Sequence, residues 1–295
     1  MQRQTDLEVL LRRVRLSRAK EGDPKKILYV LLDEIYSKTG HYYRRCWEML
    51  IEVLADAIGI IDEPWRYSLP ELPNSPLFKG VKPQHVKLSV PKELIDHIRE
   101  TGLVEEYVAA ARANPWDHIG EIFTEQRLAY RRLGQMLTPR SVVDLMLKII
   151  LPEKITRLQT VLDPAVGTGR FLMEASLLNP EAPLVLFGVD IDLWLYRACL
   201  VNMALFSKHP YSIICADSLR LDPEKSGPTS ALWDFGNLWE PADVSAFYAK
   251  SPPVTATSFN LSGWLKQMQS SKPVPGKSLF NMAVANPPWN EPKKA

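Results

Sequence analysis

The feature that most restricts the fold is a repeated alternation between residues 158 and 216, where short apolar runs exchange with longer stretches of helical periodicity. Residues 158–163, 183–190 and 211–216 read as strands, and residues 168–178 and 193–206 as helices. Strand and helix in turn predict a parallel sheet with helices on both faces. Each strand ends on or beside an acid, and Asp163, Asp190 and Asp217 recur at an interval of 27 residues. Ligands of such sheets bind beyond the carboxyl ends of the strands, which directs all three acids into one crevice.

The first strand runs into a glycine turn, Val161-Leu-Asp-Pro-Ala-Val-Gly-Thr-Gly-Arg-Phe-Leu172. Gly167 and Gly169 let backbone approach whatever lies above the strand end, because a Cβ there would block it, and a nucleoside-bearing cofactor suits that place. The spacing lacks the third glycine of the dinucleotide fingerprint, so its meaning depends on its neighbours. Asp192 is placed to cap the helix at 193, which leaves Asp190 for a ribose diol. Asp217 serves equally well as a ligand or as a turn residue before Ser218. Thr138 and Pro139 read as the cap and first-turn proline of a helix over residues 141–150. The same free N–H groups, with a hydroxyl beside them, can hold a carboxylate.

Residues 279–285 predict a fourth strand that delivers Asn286-Pro-Pro-Trp289. Pro287 and Pro288 stiffen the backbone so that the Asn286 side chain and the Pro287 carbonyl present two acceptors on one side. Trp289 offers a flat apolar face. Two convergent acceptors and a stacking ring fit a planar amino group; a plain asparagine-proline turn is the simpler alternative.

With 46% hydrophobic and 24% charged residues among 295, the chain has the balance of a soluble protein with a sizeable core. A formal charge of +2 provides no global field for nucleic acid, so any such contact needs a local basic face. Cys46, Cys199 and Cys215 form no paired motif and sit in apolar surroundings, which argues against zinc and disulfides and for a reducing cytosol. No metal site and no membrane span or export signal is expected. Residues 1–130 read as a helical domain. Its first helix, over 6–20, has an apolar face of Leu7, Leu10, Leu11 and Val14 and a basic face that solvation explains more simply than phosphate contact. Further helices are expected over 25–37 and 41–58, where Tyr42, Tyr43, Trp47, Leu50 and Leu54 read as core. A proline-dense connector over 61–91 follows, with helical pieces from 91 to about 132. His118 reads as a packed or capping residue. Residues 222–277 form a proline-rich excursion from the sheet.

Taken in order, Gly134-Gln-Met-Leu-Thr-Pro139, the glycine turn, Gly188-Val-Asp190, Ala216-Asp217 and Asn286-Pro-Pro-Trp289 give the chain a resemblance to the S-adenosylmethionine-dependent N6-adenine DNA methyltransferases. Among them it is most similar to the modification subunit of type I restriction-modification systems. The resemblance implies an α/β fold: a helical N-terminal domain over 1–130, then a Rossmann-like class I methyltransferase domain over 131–295 with strand order 3-2-1-4. It implies that Thr138 and its neighbouring backbone hold the methionine carboxylate of S-adenosylmethionine, that Asp163 holds its amino group, and that Gln135, Pro139 and Ala165 also line the cofactor site. Gly167 and Gly169 would pass under the cofactor, Asp190 would take the ribose and Asp217 the adenine amino group. Asn286, Pro287, Pro288 and Trp289 would receive a target adenine flipped out of DNA.

Three positions depart from the family pattern. Val166 stands where cysteine is usual, Arg170 where glycine is common, and Trp289 replaces Tyr or Phe. The sequence stops nine residues after Asn286, short of the strands that complete the family's sheet. The domain is therefore expected to be C-terminally incomplete, since an apolar edge strand is normally covered or paired: either a second polypeptide supplies the remainder and target recognition, or the chain is the amino-terminal piece of an interrupted methyltransferase. Two other readings stay open: a methyltransferase for a glutamine amide or an RNA base, and a non-catalytic remnant that binds cofactor or partner.

Overall fold

The computed structural model describes residues 22–59, 90–129, 135–152, 154–155, 159–215, 218 and 282–283. The expected helix over 6–20, nearly all of the proline-dense connector and the excursion over 222–277 lie outside them. The chain divides into two compact units, and the described parts of the first are residues 22–59 and 90–129.

This first unit is built from helices α1 (Pro24–Thr39), α2 (Tyr43–Ala57), α3 (Lys92–Glu100), α4 (Leu103–Ala113) and α5 (His118–Glu125). Local chemistry sets the ends of α1. The Asp23 carboxylate accepts from the Lys25 and Lys26 amides, Pro24 opens the first turn, and Gly40 closes the helix at φ 65°. The apolar stripe of Leu28, Leu31, Leu32 and Ile35 is fully buried. Trp47 packs its ring 5.1 Å from that of Phe123, and its indole N–H donates to the Ile119 carbonyl at 3.2 Å. A buried indole thus satisfies its one donor. Leu50 and Leu54 are buried as expected, but Tyr42 is 70% exposed. It occupies the cap position ahead of α2, with extended backbone, so it lies off the helix's apolar face. His118 is buried at the start of α5, and its Nε2 donates to the Asn114 carbonyl at 2.9 Å.

The described part of the second unit contains α6 (Arg140–Ile150), β1 (Gln159–Asp163), α7 (Arg170–Leu178), β2 (Leu184–Asp190), α8 (Leu193–Phe206), β3 (Tyr211–Cys215) and β4 (Met282–Ala283). All strand pairs are parallel, and the sheet order is β3-β2-β1-β4. Leu186 is in register with Val161 on one side and Tyr211 on the other. Every residue of β2 is buried, which is why it reads as a continuous apolar run rather than an alternating one. α8 is buried over most of its circumference, as a helix apolar nearly all round must be. The expected cap at Thr138 is corrected: Pro139 is the cap, at φ −60° and ψ 147°, and Arg140 is the first helical residue. The proline ring sets a helix-compatible φ, but ψ stays extended until the next residue. No helix among the described residues is long and apolar enough to cross a membrane.

A buried polar network holds the amino end of β3. Ser176 on α7 bonds His209 Nδ1 at 2.8 Å, and His209 Nε2 donates to the Ala182 carbonyl at 2.8 Å. Burial pushes the His209 pKa down to about 4. The folded value lies below the unfolded one of about 6.5, so this contribution is present above pH 6.5 and is lost as pH falls through 4. Urea unfolding of the wild type should lose about 3 kcal/mol across that window relative to a His209→Ala variant. Parallel pH profiles for the two proteins would contradict it.

Candidate functional site

The glycine turn is stitched onto the carboxyl end of β2. Val166 N–H donates to the Val189 carbonyl at 2.8 Å, and Gly167 N–H donates to Asp190 Oδ2 at 2.7 Å. Gly169 N–H closes the turn on the Val166 carbonyl at 2.8 Å. Gly167 and Gly169 have φ values of 56° and 92°, which glycine adopts without a Cβ penalty. Their need for glycine also has a packing cause within the protein. A Cβ on Gly167 would lie 2.9 Å from Leu137 Cδ2, and one on Gly169 would lie 2.8 Å from Cys199 Sγ. Gly188 is required in the same way, since its Cβ would meet Ile213 and Val166 at 2.9 Å. These close approaches are made by the chain's own side chains.

Two acids flank this turn. Asp163 is 1% exposed and accepts the Ala165 amide at 3.1 Å, closing a turn over Pro164. Asp190 is also buried, and its carboxylate has partners within the protein. Besides Gly167 N–H it accepts Asp192 N–H at 2.8 Å. Each oxygen has a second lone pair, so further donors can still be accepted. Burial raises the Asp163 pKa to about 8 with help from the neighbouring Asp190 charge, and burial raises Asp190 to about 6. Two buried carboxylates, Asp163 facing the Asp190 charge and Asp190 the Asp192 charge, form a place that a cation or a set of donors stabilises.

Segment 135–139 lies against the same strand ends. Gln135 Nε2 donates to Asp192 Oδ2 at 2.8 Å, while Asp192 Oδ1 caps α8 through the Trp194 and Leu195 amides. Thr138 is buried, its carbonyl accepts from Arg170 Nη1 at 2.8 Å, and no side chain caps the start of α6. Ile191, next to Asp190 at the carboxyl end of β2, is 58% exposed, an apolar surface that sequence reasoning passed over. Its signal was an isoleucine between two acids just past a strand end. Hydrogen bonds and packing thus connect Gln135, Thr138, Asp163, Ala165, Gly167, Gly169 and Asp190 through neighbouring residues. Asp217 and the whole of Asn286, Pro287, Pro288 and Trp289 lie outside the described residues. Among the described residues no three His, Cys, Asp or Glu side chains are placed to hold a metal ion.

Among solved structures, one described as a class I S-adenosylmethionine-dependent methyltransferase from Listeria monocytogenes is 14% identical, with a TM-score of 0.43, covering 68% of this chain and 54% of that one. One described as a modification subunit of a type I restriction enzyme from Vibrio vulnificus is 24% identical, with a TM-score of 0.32, covering 46% and 29%. The type I restriction-modification system methyltransferase subunit from Streptococcus thermophilus is 18% identical, with a TM-score of 0.31, covering 65% and 44%. The chain therefore spans about half or less of the proteins it matches. No curated protein matches it. Residues 120–241 match the family model described as N-6 DNA Methylase. Across segment 135–139, the glycine turn and both buried strand-end acids, this chain resembles the N-6 DNA methylases.

Proposed function

We propose that the chain forms part of an N6-adenine DNA methyltransferase of a restriction-modification system, using S-adenosylmethionine in the reducing cytosol. The observation that carries this reading is the glycine turn set between the two buried carboxylates Asp163 and Asp190, inside the matched region. When bound, S-adenosylmethionine supplies an electrophilic methyl group on a sulfonium. It also brings a second positive charge on its ammonium, which suits Asp163: a cation there lowers the cost of the ionised acid. Asp190 would accept the ribose hydroxyls through its remaining lone pairs, with Ile191 as an apolar face for the base. Thr138, Pro139 and Gln135 would border the methionine carboxylate at the open start of α6, where backbone N–H groups and the helix dipole favour an anion. Asp217 would take the adenine amino group of the cofactor.

The acceptor chemistry falls to Asn286-Pro-Pro-Trp289. Asn286 and the Pro287 carbonyl would accept both N6 hydrogens of an extruded adenine, Pro288 would keep the turn rigid, and Trp289 would stack on the base. Hydrogen bonding to both hydrogens localises the nitrogen lone pair for in-line attack on the methyl carbon. With both N6 hydrogens held by Asn286 and Pro287, the nitrogen would pass its surplus proton to water once it had received the methyl group. Rate comes chiefly from holding the two reactants aligned. Target recognition would come from a second polypeptide.

Calorimetry of the chain with S-adenosylmethionine tests the cofactor, and absence of binding would overturn the reading. Incubation of the assembled enzyme with labelled cofactor and DNA, RNA or a protein extract then tests the acceptor. Label on N6 of adenine in DNA is expected; label on protein or RNA alone would replace the acceptor. Asn286→Ala should cut transfer about a hundredfold while cofactor affinity holds.

A further inference from the structure

Segment 135–139 has no regular structure of its own, yet it is tied down on three sides. Gln135 bonds the capping acid Asp192, Leu137 Cδ2 fills the space a Gly167 Cβ would need, and the Thr138 carbonyl receives the Arg170 guanidinium. The last contact is costly to build. Arg170 is the first residue of α7, where the helix dipole disfavours a cation, and it is only 7% exposed. Burying a guanidinium there needs a strong acceptor, which a charge-assisted bond to a backbone carbonyl provides. Thr138 is fixed by a residue 32 positions later, from the very turn that carries Gly167 and Gly169.

We infer that Arg170 is a positioning residue: by holding the Thr138 carbonyl it sets the start of α6 against the glycine turn, and with it the place where a ligand carboxylate is received. The inference rests on the proposed cofactor only in its ligand; the clamp itself is independent of it. Arg170→Met keeps much of the stem's bulk and removes the donors. Arg170→Lys restores one donor on a flexible stem.

The test measures dissociation constants by calorimetry for three probes: S-adenosylmethionine, S-adenosylhomocysteine and 5′-methylthioadenosine, the last lacking the amino-acid part. Arg170→Met should weaken the first two about tenfold and the third by less than about twofold, whereas Arg170→Lys should stay within about threefold of wild type for all three. Hydrogen exchange of the ligand-free chain should quicken at the amides of residues 135–138 in Arg170→Met, with β1 unchanged. An equal loss for all three probes, or unchanged affinity and exchange, would overturn the inference. If the unaltered chain binds none of the probes, the cofactor reading falls, and the exchange measurement alone then decides whether Arg170 clamps the segment.

Discussion

Asp163→Asn should raise the stability of the ligand-free protein at pH 8 and, in the same molecule, weaken S-adenosylmethionine binding on the order of a thousandfold. Both effects have one cause. Asp163 is buried beside Asp190, and its carboxyl titrates near 8 rather than near 4. The folded chain therefore holds a proton that the unfolded chain releases, so this group's contribution is fully present below pH 4 and is lost as pH rises through 8. The cost above pH 8 is on the order of 5 kcal/mol. Asparagine keeps an oxygen for the Ala165 amide and carries no charge, so the penalty disappears. A cationic ligand needs the ionised acid, so wild-type affinity should fall as pH drops below 8. Calorimetry in buffers of different protonation enthalpy should detect proton release on binding. His209 acts in the opposite sense between pH 4 and 6.5, so the two variants separate contributions that partly cancel in the wild type. If Asp163→Asn is less stable at pH 8 and binds the cofactor normally, Asp163 is only a turn acceptor.

Gly169→Ala should destabilise the fold by about 2–5 kcal/mol in urea unfolding. A side chain at φ 92° costs about 1–2 kcal/mol in backbone strain. The remainder comes from a methyl group driven to 2.8 Å from the sulfur of Cys199, which is itself buried in α8. A Gly169→Ala, Cys199→Ala double variant should recover the packing part and leave the backbone part, since the next atom, Cys199 Cβ, is at 3.7 Å. Gly40→Ala is the control, with φ 65° and nothing within 4 Å of the added methyl. It should show backbone cost alone. A neutral Gly169→Ala would mean that the turn keeps its glycine for the ligand and not for the fold.

Much of this was readable in the chain. The strand and helix alternation appears within a residue or two of its expected ends, and α8 covers 193–206 as expected. Asp192 caps that helix because an acid ahead of a helical run competes well for its first amides. Other readings missed for lack of long-range information. Arg170 looked like a departure from a pattern until its acceptor, Thr138, was placed beside it. The bond from Gly167 to Asp190 spans 23 residues, so the sequence did not show it. Ser176 and His209, 33 residues apart, gave no sign of being partners.

By itself the sequence determined the parallel α/β core, the glycine turn and the acids that end its strands. Periodicity, capping and turn chemistry act between near neighbours, and near neighbours are what a sequence displays. Only the tertiary structure decided which charges share a buried space, which side chains the glycines must clear, and which arginine holds segment 135–139. Those outcomes depend on residues tens of positions apart meeting at one strand end, where burial multiplies the cost of every unpaired charge and every misplaced methyl group.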